Sequence, residues 1–187
     1  SEERAAPHLA SGELVRVLED WCPPFPGFFL YYPRQRQLPA ALAALIEQSE
    51  KLLRARLAEL PDGQWQSRQY MDVKGETAKV CLTMTKKGDS LVFDFTGSSP
   101  QSKYALNCTK WASLGGLFAP LFPLLCYDIT WNEGVIRPIT MIAPEGSIVN
   151  CTRPAPVSVA TVGAIQSVNN AACATIGKML AASEKYR

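Results

Sequence analysis

The chain contains 187 residues, of which 47% are hydrophobic and 19% charged, and its formal net charge is +2. This length accommodates one domain or two small ones, and the apolar fraction is too high for a disordered chain. The small net charge and the scattered basic residues argue against binding driven by counterion release, so no nucleic-acid partner is expected.

Two short strands and a long helix are predicted in the first third of the chain. ELVRVLEDW at 13–21 has strand-like spacing of its apolar residues, and GFFLYY at 27–32 is apolar throughout, as in a strand buried on both faces. From Pro39 to the stop signal PDG at 61–63, apolar residues recur at helical steps of three and four. The predicted apolar face of this helix consists of Leu42, Leu45, Ile46, Leu52, Leu53, Leu57 and Leu60.

Beyond this helix the pattern changes to β structure. In the third predicted strand, the large apolar residues share one face, so Asp94 and Thr96 point to the other. KKGD at 86–89 is a compact hairpin loop that connects the second and third strands. The predicted meander consists of QWQSRQYM at 64–71, AKVCLTMT at 78–85 and SLVFDF at 90–95.

An apolar segment, WASLGGLFAPLFPLLCY at 111–127, raises the question of a membrane span. It is shorter than the roughly 20 residues that a spanning helix needs. Pro120 and Pro123 would also interrupt such a helix. A buried, kinked helix or an apolar loop is therefore predicted, and no membrane association is expected.

Three further elements are predicted toward the C-terminus. VIRPITMIAP at 135–144 has strand character, and Pro138 confines it to a sheet edge or a bulge. PEGS at 144–147 has the composition of a turn. GAIQSVNNAACATIGKMLAA at 163–182 carries one apolar stripe among small residues, which predicts a closely packed helix.

The six cysteines form no C-x-x-C pair, and the single histidine, His8, is far in sequence from most of them. A zinc site built on closely spaced thiols is therefore not expected, and no metal ligand is assigned in this chain. The sequence begins SEERAAPHLASGE, which has no basic segment followed by an apolar one. No secretory signal is predicted, and the reduced thiols of a cytoplasmic protein are expected.

Residues 6–46 closely resemble the end of the effector-binding domain of LysR-type transcriptional regulators. ASGELVRVLEDW, PGFFLYYP and LPAALAALI occur in the order and spacing of that family's last strands and helix. The resemblance implies a remnant of a periplasmic-binding-protein-like α/β domain, without the helix-turn-helix or the first effector lobe. The alternative function suggested by this segment is ligand sensing or oligomerisation in a LysR-type regulator.

The sequence from about Ser49 to Arg187 resembles the hydantoinase B/oxoprolinase family. The resemblance implies ATP-dependent hydrolysis of a cyclic amide such as hydantoin, 5-oxoproline or a lactam, or a related carboxylation. It also implies a hydantoinase A-type subunit or domain as partner, with ATP and a divalent metal as cofactors of the complete enzyme. The motifs that carry it are LPDGQW at 60–65, LVFDFTGSSPQ at 91–101, LNC at 106–108 and NEGVIRPITMIAPEGSIVN at 132–150.

The family's metal-binding His and Asp residues belong to a segment upstream of this match, where the LysR-like stretch stands instead. We therefore expect a partial hydantoinase B-like subunit, without a cofactor of its own and inactive alone. The predicted domains are residues 1–48 and 49–187, joined inside the long helix between Ile46 and Ser49. Incomplete sheets on both sides of the joint favour self-association.

Together these features predict an α+β fold. It comprises a short N-terminal α/β remnant, a long amphipathic helix, a β-rich meander and a C-terminal packed helix. Within it, polar residues of the family motifs are the candidate substrate-binding residues. Asp94 is suited to orient a ligand or a partner loop, and Thr96 with Gly97 and Ser98 to offer hydroxyl and N–H groups to an anion. The competing interpretation, a turn that ends the strand, agrees better with the turn preferences of these residues.

The remaining candidates have two interpretations each. Asn107, Asn132 and Glu133 are either site residues of the intact family fold or residues that cap a turn. Arg137 is suited to bind a carboxylate or phosphate bidentately, although an ordinary salt bridge is the commoner outcome for a strand arginine. Cys108, with no histidine nearby in the sequence, is interpreted as a structural thiol, and no catalytic residue is assigned.

Overall fold

A computed structural model describes residues 7, 8, 10–12 and 40–186. The chain divides into two compact units, Ser1–Gln37 and Leu38–Arg187. The predicted strands at 13–21 and 27–32 lie outside the described residues, as does Pro39. The architecture below is therefore that of the second unit.

The long amphipathic helix is confirmed as α1, Ala40–Ala58. Its buried stripe is narrower than the sequence predicts, because Leu45 and Leu52 are each 42% exposed. A polar residue, Ser49, takes a buried position on that stripe. The buried residues of α1 are Ile46, Ser49, Leu53 and Leu57.

The three-stranded meander is also confirmed. Strands β1, Gly63–Val73, β2, Glu76–Lys87, and β3, Ser90–Asp94, pair antiparallel in sequence order. A fourth strand, β4, Ile139–Ile142, pairs in parallel with β3 and forms the other edge of the sheet. This edge position agrees with the prediction from Pro138, which directly precedes β4.

Both hairpin turns are tight. Lys74 and Gly75 connect β1 to β2, and both have positive φ angles, 50° and 82°. This combination is typical of the two-residue turns that match strand twist. The loop predicted as KKGD is shorter than expected, because Lys86 and Lys87 still pair with β3 and only Gly88 and Asp89 make the turn.

The apolar segment forms helix α2, Lys110–Leu125, which contains both Pro120 and Pro123 and is largely buried. The side chain of Thr109 caps its first turn by accepting a hydrogen bond from the Ala112 amide at 3.3 Å. The prediction of a buried helix is thus confirmed. No helix within the described residues combines the length and hydropathy that a membrane crossing requires.

The last predicted helix is α3, Ala164–Ala181, which packs against α2, β1 and β2. It approaches α2 closely at Gly116, where an added Cβ would lie 3.0 Å from the carbonyl oxygen of Ile165. The core lies between these helices and one face of the sheet. Its largest fully buried side chains include Leu53, Leu57, Leu82, Met84, Leu91, Phe93, Phe95, Leu117, Leu121 and Ile176.

Candidate functional site

The motif loop, residues 94–108, begins where β3 ends. The Asp94 carboxylate accepts a hydrogen bond from the Thr96 amide at 2.8 Å, and the Ser98 amide donates to the Phe95 carbonyl at 3.1 Å. Gly97 follows with a φ of 90°, which glycine adopts without strain. The predicted hydrogen-bonded turn is therefore present, and Asp94 belongs to it.

Two serines then attach the motif loop to β2. The Ser98 hydroxyl accepts from the Cys81 amide at 3.0 Å and donates to the Cys81 carbonyl at 3.2 Å. The Ser99 hydroxyl accepts from the Lys79 amide at 3.0 Å, and the Ser99 amide donates to the Lys79 carbonyl at 2.9 Å. The loop thus takes the place of β3 beside the first half of β2. The Ser98 hydroxyl is engaged in hydrogen bonds to the Cys81 backbone.

Asn107 closes the motif loop from inside. Its side chain is fully buried, and its amide oxygen accepts from the Ser102 amide at 2.6 Å. Its amide nitrogen donates to the carbonyls of Ser102, Tyr104 and Pro156 at 2.8–3.0 Å. In this structure Asn107 joins the motif loop to the segment around Pro156, away from the surface.

Asn132 lies against α1 and caps a short 3₁₀ helix, Glu133–Val135. Its side-chain oxygen accepts from the Gly134 amide at 2.8 Å, and its nitrogen donates to the Ser49 hydroxyl at 2.7 Å. Gly134 is buried so closely against α1 that an added Cβ would overlap the carbonyl oxygen of Ile46. The NEG sequence therefore holds this segment on the helix.

Arg137 strengthens the same contact. Its guanidinium lies 3.0 Å from the Glu50 carboxylate, which Arg54 also contacts at 2.9 Å. Hydrogen bonds from Arg137 and Arg54 hold the pKa of Glu50 below its usual value. Glu133 is exposed, and its carboxylate lies 4.0 Å from Arg137.

The six predicted site residues thus occupy three places. Asn132, Glu133 and Arg137 lie together beside α1, whereas Asp94 and Thr96 lie at the motif-loop turn and Asn107 is buried within the loop. The first two groups are separated because β3 and β4 are parallel: Ile139 pairs with Leu91 at the start of β3, and Ile142 pairs with Asp94 at its end. Their role in substrate binding stays a prediction.

Two surface clefts flank the motif loop. One, of about 260 Å³, is lined by Glu76, Thr77, Ala78, Leu106 and residues 99–104. The other, which we name the strand groove, has about 290 Å³ and lies over β1, β2 and the Thr96–Gly97 turn. The residues that line the strand groove are Gln66, Ser67, Arg68, Lys79, Cys81, Leu82, Thr83, Thr96 and Gly97.

The strand groove lies on the sheet face opposite the core. Arg68 pairs with Cys81 in the antiparallel register, and Lys79 lies two residues from Cys81, so these three side chains share that face. Sequence reasoning missed Arg68 and Lys79 as candidate residues. Both occupy alternate, outward-facing positions of predicted strands, but only the folded structure shows that they line one groove with Thr96.

Cys108 is confirmed as a buried thiol. Its sulfur lies 2.8 Å from the Ser113 hydroxyl, which donates to the Val149 carbonyl at 2.6 Å. Burial raises the pKa of Cys108 to about 11, which keeps the thiol protonated near neutral pH. Among the described residues, no three His, Cys, Asp or Glu side chains converge as a metal site would require.

These features define an α+β domain built on a meander. Its motif loop hydrogen-bonds to the half of β2 that does not pair with β3. The family model of hydantoinase B/oxoprolinase matches residues 35–186, and the chain belongs to this family. A candidate D-/L-hydantoinase B-type subunit from Pseudomonas sp. (strain NS671) is 29% identical over 156 residues. That match covers 76% of this chain and 26% of the relative.

The fold also agrees with a solved structure. The ATP-dependent caprolactamase from Pseudomonas jessenii superposes with a TM-score of 0.69 at 22% identity, over 75% of this chain and 25% of the other. At this identity the likeness concerns the fold alone. The chain spans only about a quarter of the length of these hydantoinase-like proteins.

Short matches to regulators confirm the second resemblance. A candidate transcriptional regulator from Pseudomonas aeruginosa is 52% identical over 46 residues, which are 25% of this chain and 15% of the relative. A protein of Escherichia coli described as containing a LysR-family substrate-binding domain is 45% identical over 47 residues, 25% of this chain and 35% of the relative. The chain therefore combines a hydantoinase B-type segment with a short LysR-like one.

Proposed function

We propose that the chain is part of a hydantoinase B/oxoprolinase-type subunit that serves ATP-dependent hydrolysis of a cyclic amide, or a related carboxylation. The observation that supports this most is the family match over residues 35–186. The family motifs also form the motif loop and the segment that lies on α1. Hydantoin, 5-oxoproline and lactams are the substrate class, and the cytoplasm is the proposed location.

The chain is proposed to be inactive alone. ATP and a divalent metal would act in the complete enzyme, with a hydantoinase A-type subunit or domain as partner. This part of the proposal rests on the family resemblance, since the described residues present no cluster of metal ligands. The chain would then supply scaffold and substrate contacts, with Asp94, Thr96, Asn107, Asn132, Glu133 and Arg137 as the proposed substrate-binding residues.

An activity assay tests the proposal directly. The chain is incubated with ATP, a divalent metal and either hydantoin or 5-oxoproline, with and without a hydantoinase A-type subunit. We expect no turnover by the chain alone and co-elution with the added subunit in size-exclusion chromatography. Turnover by the isolated chain would refute the claim of inactivity, and separate elution would count against the proposed partner.

The alternative is a ligand-sensing or oligomerisation segment of a LysR-type regulator. The 52% identity over 46 residues to a candidate transcriptional regulator favours it. The coding sequence upstream discriminates between the two. An in-frame helix-turn-helix there would support the regulator, whereas an upstream hydantoinase B-like segment rich in His and Asp would support the enzyme.

A further inference from the structure

We propose that the strand groove binds a small oxyanion, a carboxylate or a phosphate group, through Arg68 and Lys79. The Thr96–Gly97 turn forms the wall of this site. The site would bind the anion on the sheet face opposite the core and requires no catalysis by the chain. It adds two cationic residues from β1 and β2 to the turn that the family motif builds.

The two cations are the first support for this site. Arg68 and Lys79 project from neighbouring strands at diagonal positions of the register, a spacing that long side chains bridge. Both are exposed, and neither meets a carboxylate among the described residues. Several other cations of the unit lie within 4.0 Å of an acidic side chain, namely Arg54, Arg56, Lys86, Lys103, Arg137 and Lys185.

Neutral donors at the same groove are the second support. The hydroxyls of Thr83 and Thr96 and the amide of Gly97 have no hydrogen-bond partner within the part of the chain that the structure describes. Gly97 lies over Cys81, since a Cβ built on it would be 3.9 Å from the Cys81 Cβ. A guanidinium, an ammonium and a free amide around one concavity match the acceptor-only oxygens of an oxyanion.

The nearest acidic group in the strand register, Asp94, limits where the anion can lie, because two negative charges repel each other. Asp94, the last residue of β3, pairs with Thr83 of β2, and its carboxylate already accepts from the Thr96 amide. Arg68 lies two strands away, about 10 Å at the usual strand spacing. An anion bound by Arg68 and Lys79 would therefore lie over Cys81 beside Gly97, on the side of the groove away from Asp94. Because both cations are exposed to solvent, we expect a dissociation constant on the order of 1–10 mM.

A nuclear magnetic resonance titration tests this site. The ¹⁵N-labelled full chain is titrated with inorganic phosphate and, separately, with acetate, at constant ionic strength because salt screens exposed charges. We expect saturable shifts at the amides of Thr96 and Gly97. Tighter saturation by phosphate assigns a phosphate site, and equal or tighter saturation by acetate assigns a carboxylate site.

Three variants complete the experiment. Arg68→Gln and Lys79→Gln should each weaken the affinity about two- to fivefold, as loss of a solvent-exposed charge pair predicts. Lys110→Gln, an exposed lysine outside the groove, is the control and should leave the affinity unchanged. Absence of a saturable shift with either anion, or equal weakening by the control, would overturn the proposal. An unfolding midpoint equal to that of the wild type excludes a folding defect in each variant. If one groove variant does not fold, the other alone tests the site.

Discussion

Glu50 is the residue at which α1 meets the NEGVIRP segment. Its carboxylate binds Arg54 within the helix and Arg137 from outside it. The Glu50 amide nitrogen also lies within 3.0 Å of the position that a Cβ on Gly134 would take. A charged side chain and a close backbone approach thus act at the same turn of the helix.

The lowered pKa of Glu50 predicts a pH dependence of stability. Because the folded state binds this proton more weakly than the unfolded state does, the stabilisation is present above the usual glutamate pKa and is lost as the pH falls. Glu50→Gln should therefore lose less stability than the wild type between neutral and acidic pH. Urea unfolding followed by circular dichroism measures the difference.

The matched control for this prediction is Glu47→Gln, an exposed glutamate of the same helix. It has no ion pair within the described part of the chain. If the two variants show the same dependence of unfolding free energy on pH, the ion pairs of Glu50 with Arg54 and Arg137 do not stabilise the fold.

The cysteines predict a graded reactivity. Cys108 and Cys126 are buried, and burial raises the pKa of each to about 11, whereas Cys173 is exposed. At mildly alkaline pH, iodoacetamide should modify Cys173 in the folded protein and leave Cys108 and Cys126 unmodified until the protein unfolds. Peptide mass spectrometry with and without urea checks this. Modification of Cys108 at the rate of Cys173 would show that its thiol is accessible.

At the scale of elements, glycine contacts decide how two segments pack. Gly134→Ala should destabilise the protein by about 1–3 kcal/mol, because the added methyl group overlaps α1 at Ile46. Thermal or urea unfolding measures this loss. Gly177→Ala in α3 is the control, since no atom lies within 4 Å of its added Cβ. An equal effect of the two substitutions would contradict the close contact.

Neighbouring glycines of α2 provide a second pair. Gly116 faces α3 and has the Ile165 carbonyl 3.0 Å from an added Cβ, whereas Gly115 has no atom within 4 Å. Gly116→Ala should lower the unfolding midpoint, because α2 and α3 must move apart. Gly115→Ala should raise stability by about 0.5–1 kcal/mol through lower chain entropy. A reversed order of the two midpoints would argue against this helix contact.

The local periodicities predict most elements correctly. The helix α1, the meander and the helix α3 follow from spacings of three to four and of two residues, which act within one segment. The parallel pairing of β4 with β3 escapes such reasoning, because 44 residues separate the two strands. The strand groove escapes it because its two cations come together across two strands and not within one segment. Arg68 and Lys79 come together only through the β1–β2 register.

For the whole molecule, the family motifs form mostly structural contacts in the described unit. Asn107 and Asn132 are candidate site residues of the motifs, and in the structure each directs its hydrogen bonds to backbone carbonyls, amides or Ser49. The sequence does not distinguish a ligand-binding asparagine from one that only stabilises the fold, because the same residue serves both roles. Their role in substrate binding stays a prediction.

Shortened chains test the extent of the folding unit. A chain beginning at Leu38 retains all of α1, whereas one beginning at Ser49 loses Ile46, which is only 6% exposed. We expect the midpoint of thermal unfolding to be lower by at least about 5 °C for the shorter chain. Equal midpoints would show that the first half of α1 contributes nothing. The predicted domain boundary between residues 48 and 49 stays a prediction.

The side-chain contacts between α1 and the NEGVIRP segment limit how two sequences can be joined in this helix. Each residue turns an α-helix by about 100°, so one residue inserted between Glu47 and Gln48 would rotate Ile46 away from the side of Ser49 and Glu50. The Ile46 side chain, which is only 6% exposed, must nonetheless lie on the same side of α1 as the Ser49 hydroxyl and the Glu50 carboxylate. Because an α-helix has about 3.6 residues per turn, only about one in four lengths of inserted or deleted sequence keeps these groups on one side. Rotation of the helix therefore decides which joints within α1 preserve its contacts with the NEGVIRP segment.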